Sequence, residues 1–136
     1  MMSLEDAVNL VLFAFNNAKS GDIFVQKAPA ATIETLVCAL KNLMNVPMHP
    51  VEYIGTRHGE KQYEVLLSRE ERVSAIDLGK YFRIPPDLRG LNYEKYTESG
   101  SHEISNAIEY TSDNTERLSA NELIKLIQNL NFSEAF

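Results

Sequence analysis

Twelve consecutive residues, Ala7 to Ala18, carry no charge at all. Ser3-Leu4-Glu5-Asp6 precedes them and reads as a helix start. The Ser3 hydroxyl can accept an early backbone N–H, and two acids suit the positive end of the helix dipole. Leu4, Ala7, Val8, Val11, Leu12 and Phe15 recur at helical spacing and predict one buried stripe. Leu10, Phe13 and Ala14 put further apolar surface on other faces. A helix apolar nearly all round has to be covered on several sides. In a chain of 136 residues, cover is scarce, so this helix is expected to face another domain.

The elements after it alternate. Lys19-Ser20-Gly21-Asp22 stops the helix, with Gly21 suited to the C′ position. Ile23–Gln26 reads as a short buried strand. Thr32 can cap a second helix that carries Ile33, Leu36, Val37, Leu40, Leu43 and Met44 on one face until Pro47 and Pro50 break it. Val51–Ile54 reads as a second strand, which gives an α/β order. Further strands are expected at Val65–Leu67 and Lys80–Ile84, with a helical turn capped by Ser68 between them. Residues 87–105 are polar and rich in loop formers, with Tyr93 and Tyr96 suggesting a segment laid on a surface. Ser119-Ala120-Asn121-Glu122 matches a capping box, and Leu123, Ile124, Ile127 and Leu130 line one face of the helix behind it. Such a helix needs a groove on its own chain or on a neighbour. The chain therefore divides into an α/β region over 1–86 and an extension over 87–136.

Charge and composition narrow the partners. The formal net charge is −6, which disfavours nucleic acid and anionic membranes. The single cysteine, Cys38, permits no internal disulfide and lies among apolar neighbours as a small packed side chain. The longest apolar stretch, Leu10 to Phe15, is far shorter than the ~20 residues that span a bilayer. No basic n-region with an apolar h-region opens the chain. A soluble cytoplasmic protein is expected.

Gly55-Thr56-Arg57-His58-Gly59-Glu60-Lys61 is the most informative loop. It follows an expected strand, where α/β folds place ligand loops. Arg57 offers a planar fork of donors for a phosphate, and Glu60 could accept from two neighbouring sugar hydroxyls. The pair would suit a nucleoside diphosphate. The same spacing suits a solvated turn in which Arg57 and Glu60 pair with each other. His49, His58 and His102 show no ligand spacing, so no metal site is expected. Arg69-Glu70-Glu71-Arg72 reads as a solvated, self-compensating face, Asp87 and Arg89 as a mutual pair, and Asp113-Asn114-Thr115 as a turn. The chain contains neither a glycine-rich dinucleotide fingerprint nor a tyrosine followed four residues later by lysine. No catalytic residues are assigned.

Several segments together resemble one family. Met2 to Val8, Gly21 to Pro29, Ile54 to Lys61, Leu66 to Glu71, Leu91-Asn92-Tyr93 and Tyr110 to Thr115 look like the bacterial UDP-N-acetylglucosamine 4,6-dehydratases. Some of these also epimerise C5, and they belong to the extended short-chain dehydrogenase/reductases. The resemblance covers essentially the whole chain. It implies the C-terminal, substrate-binding portion of such an enzyme, in the subgroup that makes precursors of capsule and O-antigen sugars. Genes of this kind are often labelled UDP-glucose 4-epimerase as well.

The resemblance further implies that Arg57 contacts the UDP diphosphate and Glu60 the uridine ribose. Met2 and Ser3 would lie in the segment that enters the substrate pocket, with no role assigned to either. The N-terminal Rossmann domain, which holds NADP or NAD and the catalytic residues, is expected to be missing from this chain. Alone, the chain is expected to be inactive, to bind a UDP-sugar weakly and to form homo-oligomers. A 4-epimerase fragment and a non-catalytic oligomerisation or binding module are the rival readings.

Overall fold

The structure, a computed structural model, describes residues 1–87 and 100–130. Helix α1 spans Leu4–Asn17 and starts in a capping box. Asp6 N–H donates to Ser3 Oγ at 3.0 Å, and Ser3 N–H donates to Asp6 Oδ2 at 2.9 Å. Hydrogen bonds from the Ser3 side chain and backbone hold the Asp6 carboxyl below its ordinary pKa.

The orientation of α1 reverses the expectation. Its inner side is formed by the half-buried Asp6, Ala7, Leu10, Phe13 and Ala14. Leu4 is 81% exposed and Phe15 83%, with Val8, Val11 and Leu12 exposed between them. The physical reason lies in the rings. Phe13 meets Phe24 edge-on at 5.8 Å and lies 4.5 Å from Tyr81, centroid to centroid. Those aromatic contacts select the inner face, and of the expected stripe only Ala7 turns inward.

Gly21 is not the residue that ends α1, because the cap is Ala18 in extended conformation. It occupies the third position of a turn closed by Asp22 N–H on the Lys19 carbonyl. Its φ is +85°, and a Cβ there would stand 2.9 Å from Pro86 Cβ. Both the backbone angle and the close approach demand glycine.

Strand β1, Ile23–Gln26, then begins. The helical turn expected from Ser68 is α3, Arg69–Ser74, with Ser68 and Glu71 completing its capping box. Strands β3, Ile76–Asp77, and β4, Tyr81–Ile84, follow it. The sheet order is β1-β4-β3, and all pairings are antiparallel. The mixture of helix and strand is as expected, but its pairing is not the parallel kind that an α/β order suggests.

Period-two alternation sends Phe24 and Arg83 to the α1 side and Val25, Phe82 and Ile84 to the other. There Phe82, Ile84 and Leu67 form the buried core, with Val25, Ala75 and Tyr110 against it. Leu67 belongs to β2, Val65–Leu67, which pairs antiparallel with β5, Tyr110–Thr111. A short α4, His102–Asn106, packs near α3. Sequence reading missed β3, α4 and β5, all of which are two to five residues long.

Helix α2, Ile33–Leu43, is capped by Thr32 as expected. It packs against α5, Ala120–Asn129, whose capping box joins Ser119 and Glu122. The groove for the last described helix is thus on its own chain. Ala39 on α2 and Leu123 on α5 are completely buried. Ile33, Leu40 and Met44, expected on the packed face, are exposed instead, and Cys38 is an exposed thiol rather than a packed side chain.

Three further expectations change. Val51–Ile54 forms no strand, and all four residues are exposed. Ile23 is also exposed, so β1 is only partly buried. In the Arg69–Arg72 run, the Arg72 guanidinium lies 4.5 Å from the Phe82 ring centroid and 5.6 Å from that of Tyr110. Glu71 is committed to the cap. The run is therefore partly built into the core lid rather than self-compensating. Tyr93, Tyr96 and Arg89 lie outside the described residues.

Candidate functional site

The loop after α2 leads to the candidate site. α2 ends at Leu43 with Met44 as its C-cap, and Asn45 takes a left-handed φ of 55° that redirects the chain. Residues 51–56 then run without helix or strand pairing, and Gly55 among them takes a left-handed φ of +74°. Arg57-His58-Gly59-Glu60 forms a turn closed by Glu60 N–H on the Arg57 carbonyl at 3.1 Å. Gly59, at its third position, has a φ of +81°. A side chain there would be strained, so glycine fixes the turn.

Arg57 and Glu60, the two binding residues expected from sequence, come together in this turn. Arg57 N–H donates to Glu60 Oε2 at 2.7 Å, and Arg57 Nε stands 3.9 Å from Glu60 Oε1. Both side chains are largely exposed. The geometry is that of the mutually paired turn. The ion pair is long and solvated, a kind worth only about 0–1 kcal/mol, so a ligand phosphate can draw the guanidinium away at little cost.

Beside this loop lies an open groove of about 820 Å³, between α2 and residues 47–55. That volume falls within the ~300–1,000 Å³ typical of small-molecule sites. Val37, Cys38, Lys41, Asn42 and Tyr53 are among its lining residues, and Gly55 joins it to the turn. Tyr53, 79% exposed, offers an aromatic face, Lys41 a cation and Asn42 a carboxamide. Sequence reading placed none of these in a site. The available signal was Tyr53 itself, an aromatic beside a polar glycine-rich loop.

Other motif residues are used by the fold. Lys27 Nζ lies 2.6 Å from Asp77 and 4.3 Å from the Phe82 ring centroid. Its hydrogen bond lowers the Asp77 pKa. Asn114 Oδ1 accepts from Thr111 N–H at 2.8 Å, while its Nδ2 donates to the Glu109 carbonyl at 2.7 Å. Asp113 accepts from Arg117 at 2.6 Å. Asp22, with a side chain only 2% exposed, lies 3.4 Å from Arg83 Nε. That Nε lacks good hydrogen-bond geometry, so the contact is electrostatic. Met2 is exposed, and Ser3 is occupied by the α1 cap.

Among the described residues no group of three potential metal ligands gathers, and no helix is long and apolar enough to cross a membrane.

Known proteins are similar to this chain in sequence and, in one case, in structure. A protein of Rickettsia bellii (strain OSU 85-389) named UDP-glucose 4-epimerase is 52% identical over 132 residues. The match takes in 97% of this chain and 38% of that protein. A protein of the same name from Rickettsia canadensis (strain McKiel) is 49% identical over equal coverage. The crystal structure of Pen from Bacillus thuringiensis superposes with a TM-score of 0.69 at 31% identity. That alignment covers 95% of this chain and 36% of Pen. The chain thus spans well under half the length of these relatives. Residues 1–86 match the polysaccharide biosynthesis protein family, and residues 87–132 match its C-terminal counterpart, polysaccharide biosynthesis protein C-terminal. This chain belongs to the polysaccharide biosynthesis protein family.

Proposed function

We propose that this chain is the UDP-sugar-binding C-terminal part of a nucleotide-sugar-modifying enzyme. One observation carries the reading. Arg57 and Glu60 sit on a glycine-fixed turn that follows Gly55, the last lining residue of the groove, and among the described residues they hold nothing but each other. Motif residues that serve the fold elsewhere are locked into caps, sheets and turns. The Arg57 guanidinium binds the diphosphate and Glu60 accepts from the ribose hydroxyls. The groove beside Tyr53 receives the rest of the nucleotide.

The activity of the whole enzyme is read as 4,6-dehydration of UDP-N-acetylglucosamine, with or without C5 epimerisation, for capsule or O-antigen precursors in the cytoplasm. The sequence segments that resemble those dehydratases support this. The Rickettsia relatives' name favours a second reading, epimerisation at C4 of a UDP-sugar. In either case NADP or NAD is held by a dinucleotide-binding domain outside this chain. The antiparallel pairing of β1 with β4 supports that placement, since a dinucleotide fingerprint requires a parallel βαβ unit.

Two measurements test the proposal. Calorimetric titration of the chain with UDP should show weak binding that Arg57→Ala abolishes. A folded chain with equal affinity in wild type and variant would remove Arg57 from the site. Incubating the whole enzyme with UDP-N-acetylglucosamine should yield a 4-keto product that has lost one water by mass. A product of unchanged mass inverted at C4 would assign the epimerase instead, and no turnover of any UDP-sugar would sink both.

A further inference from the structure

We propose that Glu60 is a positioning residue for Arg57, a brace that holds the phosphate-binding turn in shape before a nucleotide arrives. The inference rests on the reading of Arg57 as the diphosphate contact. Glu60 satisfies both backbone polar groups of Arg57. Its N–H donates to the Arg57 carbonyl at 3.1 Å, and its Oε2 accepts the Arg57 N–H at 2.7 Å. Among the described residues these are the only hydrogen bonds that reach residues 51–60. Burial does not hold the turn, because residues 44–65 are all exposed. A Cβ at Gly55 or Gly59 would meet nothing within 4 Å. Without the brace, an exposed loop with two such glycines has many other conformations open to it.

The same bond recurs in the fold with a different consequence. Ser3 N–H on Asp6, Ser68 N–H on Glu71 and Ser119 N–H on Glu122 each join a residue to a carboxylate three positions on. Each of those bonds starts a helix. Arg57 N–H on Glu60 repeats the bond where no helix follows. There it fixes only the four residues that carry the guanidinium. It also divides the carboxylate. Oε2 is committed to the turn, while Oε1 has only the loose 3.9 Å approach of Arg57 Nε and stays available to a hydroxyl. A turn shaped in advance lowers the ordering cost of binding.

Inorganic pyrophosphate separates this role from a ribose contact, because it offers phosphate and no sugar. Glu60→Ala removes a negative charge beside the anion, which by Coulomb's law alone tightens binding. Loss of the brace acts in the opposite direction. A turn formed a third of the time raises the apparent Kd about threefold. Glu60→Gln keeps an oxygen for the Arg57 N–H and drops the charge. The test is calorimetric titration of the 136-residue chain with pyrophosphate, with circular dichroism to show that each variant is folded. Wild type should bind and Arg57→Ala should not. Glu60→Ala should bind at least about threefold more weakly than wild type, and Glu60→Gln should bind as well or better. If Arg57→Ala abolishes binding while Glu60→Ala binds as tightly as wild type or tighter, the positioning role is overturned and the phosphate contact stands. Glu60→Gln as weak as Glu60→Ala overturns it too, since the charge and not the brace would then matter. A wild type that does not bind pyrophosphate, or an Arg57→Ala variant that binds it equally, overturns the phosphate contact and the positioning role together.

Discussion

The Thr115 hydroxyl donates to the Ala28 carbonyl at 3.0 Å across 87 residues of sequence. Its single proton is thereby spent, so the 2.5 Å contact with Tyr110 must have the phenol as donor. Ala30 N–H and C=O are bonded to Glu116 and Leu118 on the same stretch. Thr115 is therefore the buried knot that ties the loop after β1 to the segment before α5.

Thr115→Val keeps the shape of this side chain and deletes its polar atom. It leaves the Tyr110 hydroxyl and the Ala28 carbonyl without their partner. A loss of about 1 kcal/mol is expected, since both orphaned groups belong to half-buried residues. Urea unfolding of the two proteins measures it. A difference below about 0.5 kcal/mol, within the range of ordinary surface changes, would mean that the knot is not needed.

Arg57→Ala should separate binding from stability. Its ion pair with Glu60 is 3.9 Å long and solvated, so the variant should unfold within about 0.5 kcal/mol of wild type. The turn itself is held by backbone and by Gly59. Nucleotide affinity, in contrast, should fall. A thermal shift assay with and without UDP reads both effects at once. Loss of stability equal to the loss of binding would identify Arg57 as a structural residue.

How much of the fold and the site was legible in the sequence depends on the range of the interaction. The caps at Ser3, Thr32, Ser68 and Ser119 are contacts within three residues, and each was readable. The Arg57–Glu60 turn was readable for the same reason. The choice of face on α1 was not, because it is decided by Phe24 and Tyr81 on two strands remote from it. Val51–Ile54 has strand-like residues but no sheet edge to pair with among the described residues. Local propensity without a partner does not make a strand. The groove was hidden because it needs α2 and the 47–55 loop side by side.

Phe82→Ala should damage the fold more than Thr115→Val or Arg57→Ala. The ring is 3% exposed and meets Tyr110 edge-on at 5.2 Å. It also carries Lys27 and Arg72 over its faces. Its removal loses burial, ring contacts and two cation–π partners, with an expected cost of about 3–5 kcal/mol. That is a large share of the ~5–15 kcal/mol available to a small domain. Arg72→Ala should cost far less, about 0.5–1 kcal/mol, because the residue as a whole is exposed and its cation–π contact lies at the surface of the core. Paired denaturation curves would show the ranking, and a larger loss for Arg72→Ala would mean that the Phe82 ring is not the centre of the core.

The cap on α1 should give the chain an acid-sensitive element. Ser3 hydrogen bonds to the Asp6 carboxylate lower its pKa below the ordinary aspartate value. A carboxyl depressed on folding contributes stability that is fully present above its unfolded pKa. The contribution fades as pH falls through the folded pKa. Wild type should therefore exceed Asp6→Asn by a constant margin from neutrality down to the ordinary aspartate range. Below that range the margin should shrink. Ser3→Ala, which removes the hydroxyl that Asp6 N–H bonds to, should cost about 1 kcal/mol at neutral pH. Urea midpoints taken at several pH values would show the convergence. A margin between wild type and Asp6→Asn that persists undiminished under strongly acidic conditions would mean that the carboxylate form of Asp6 does not stabilise the cap.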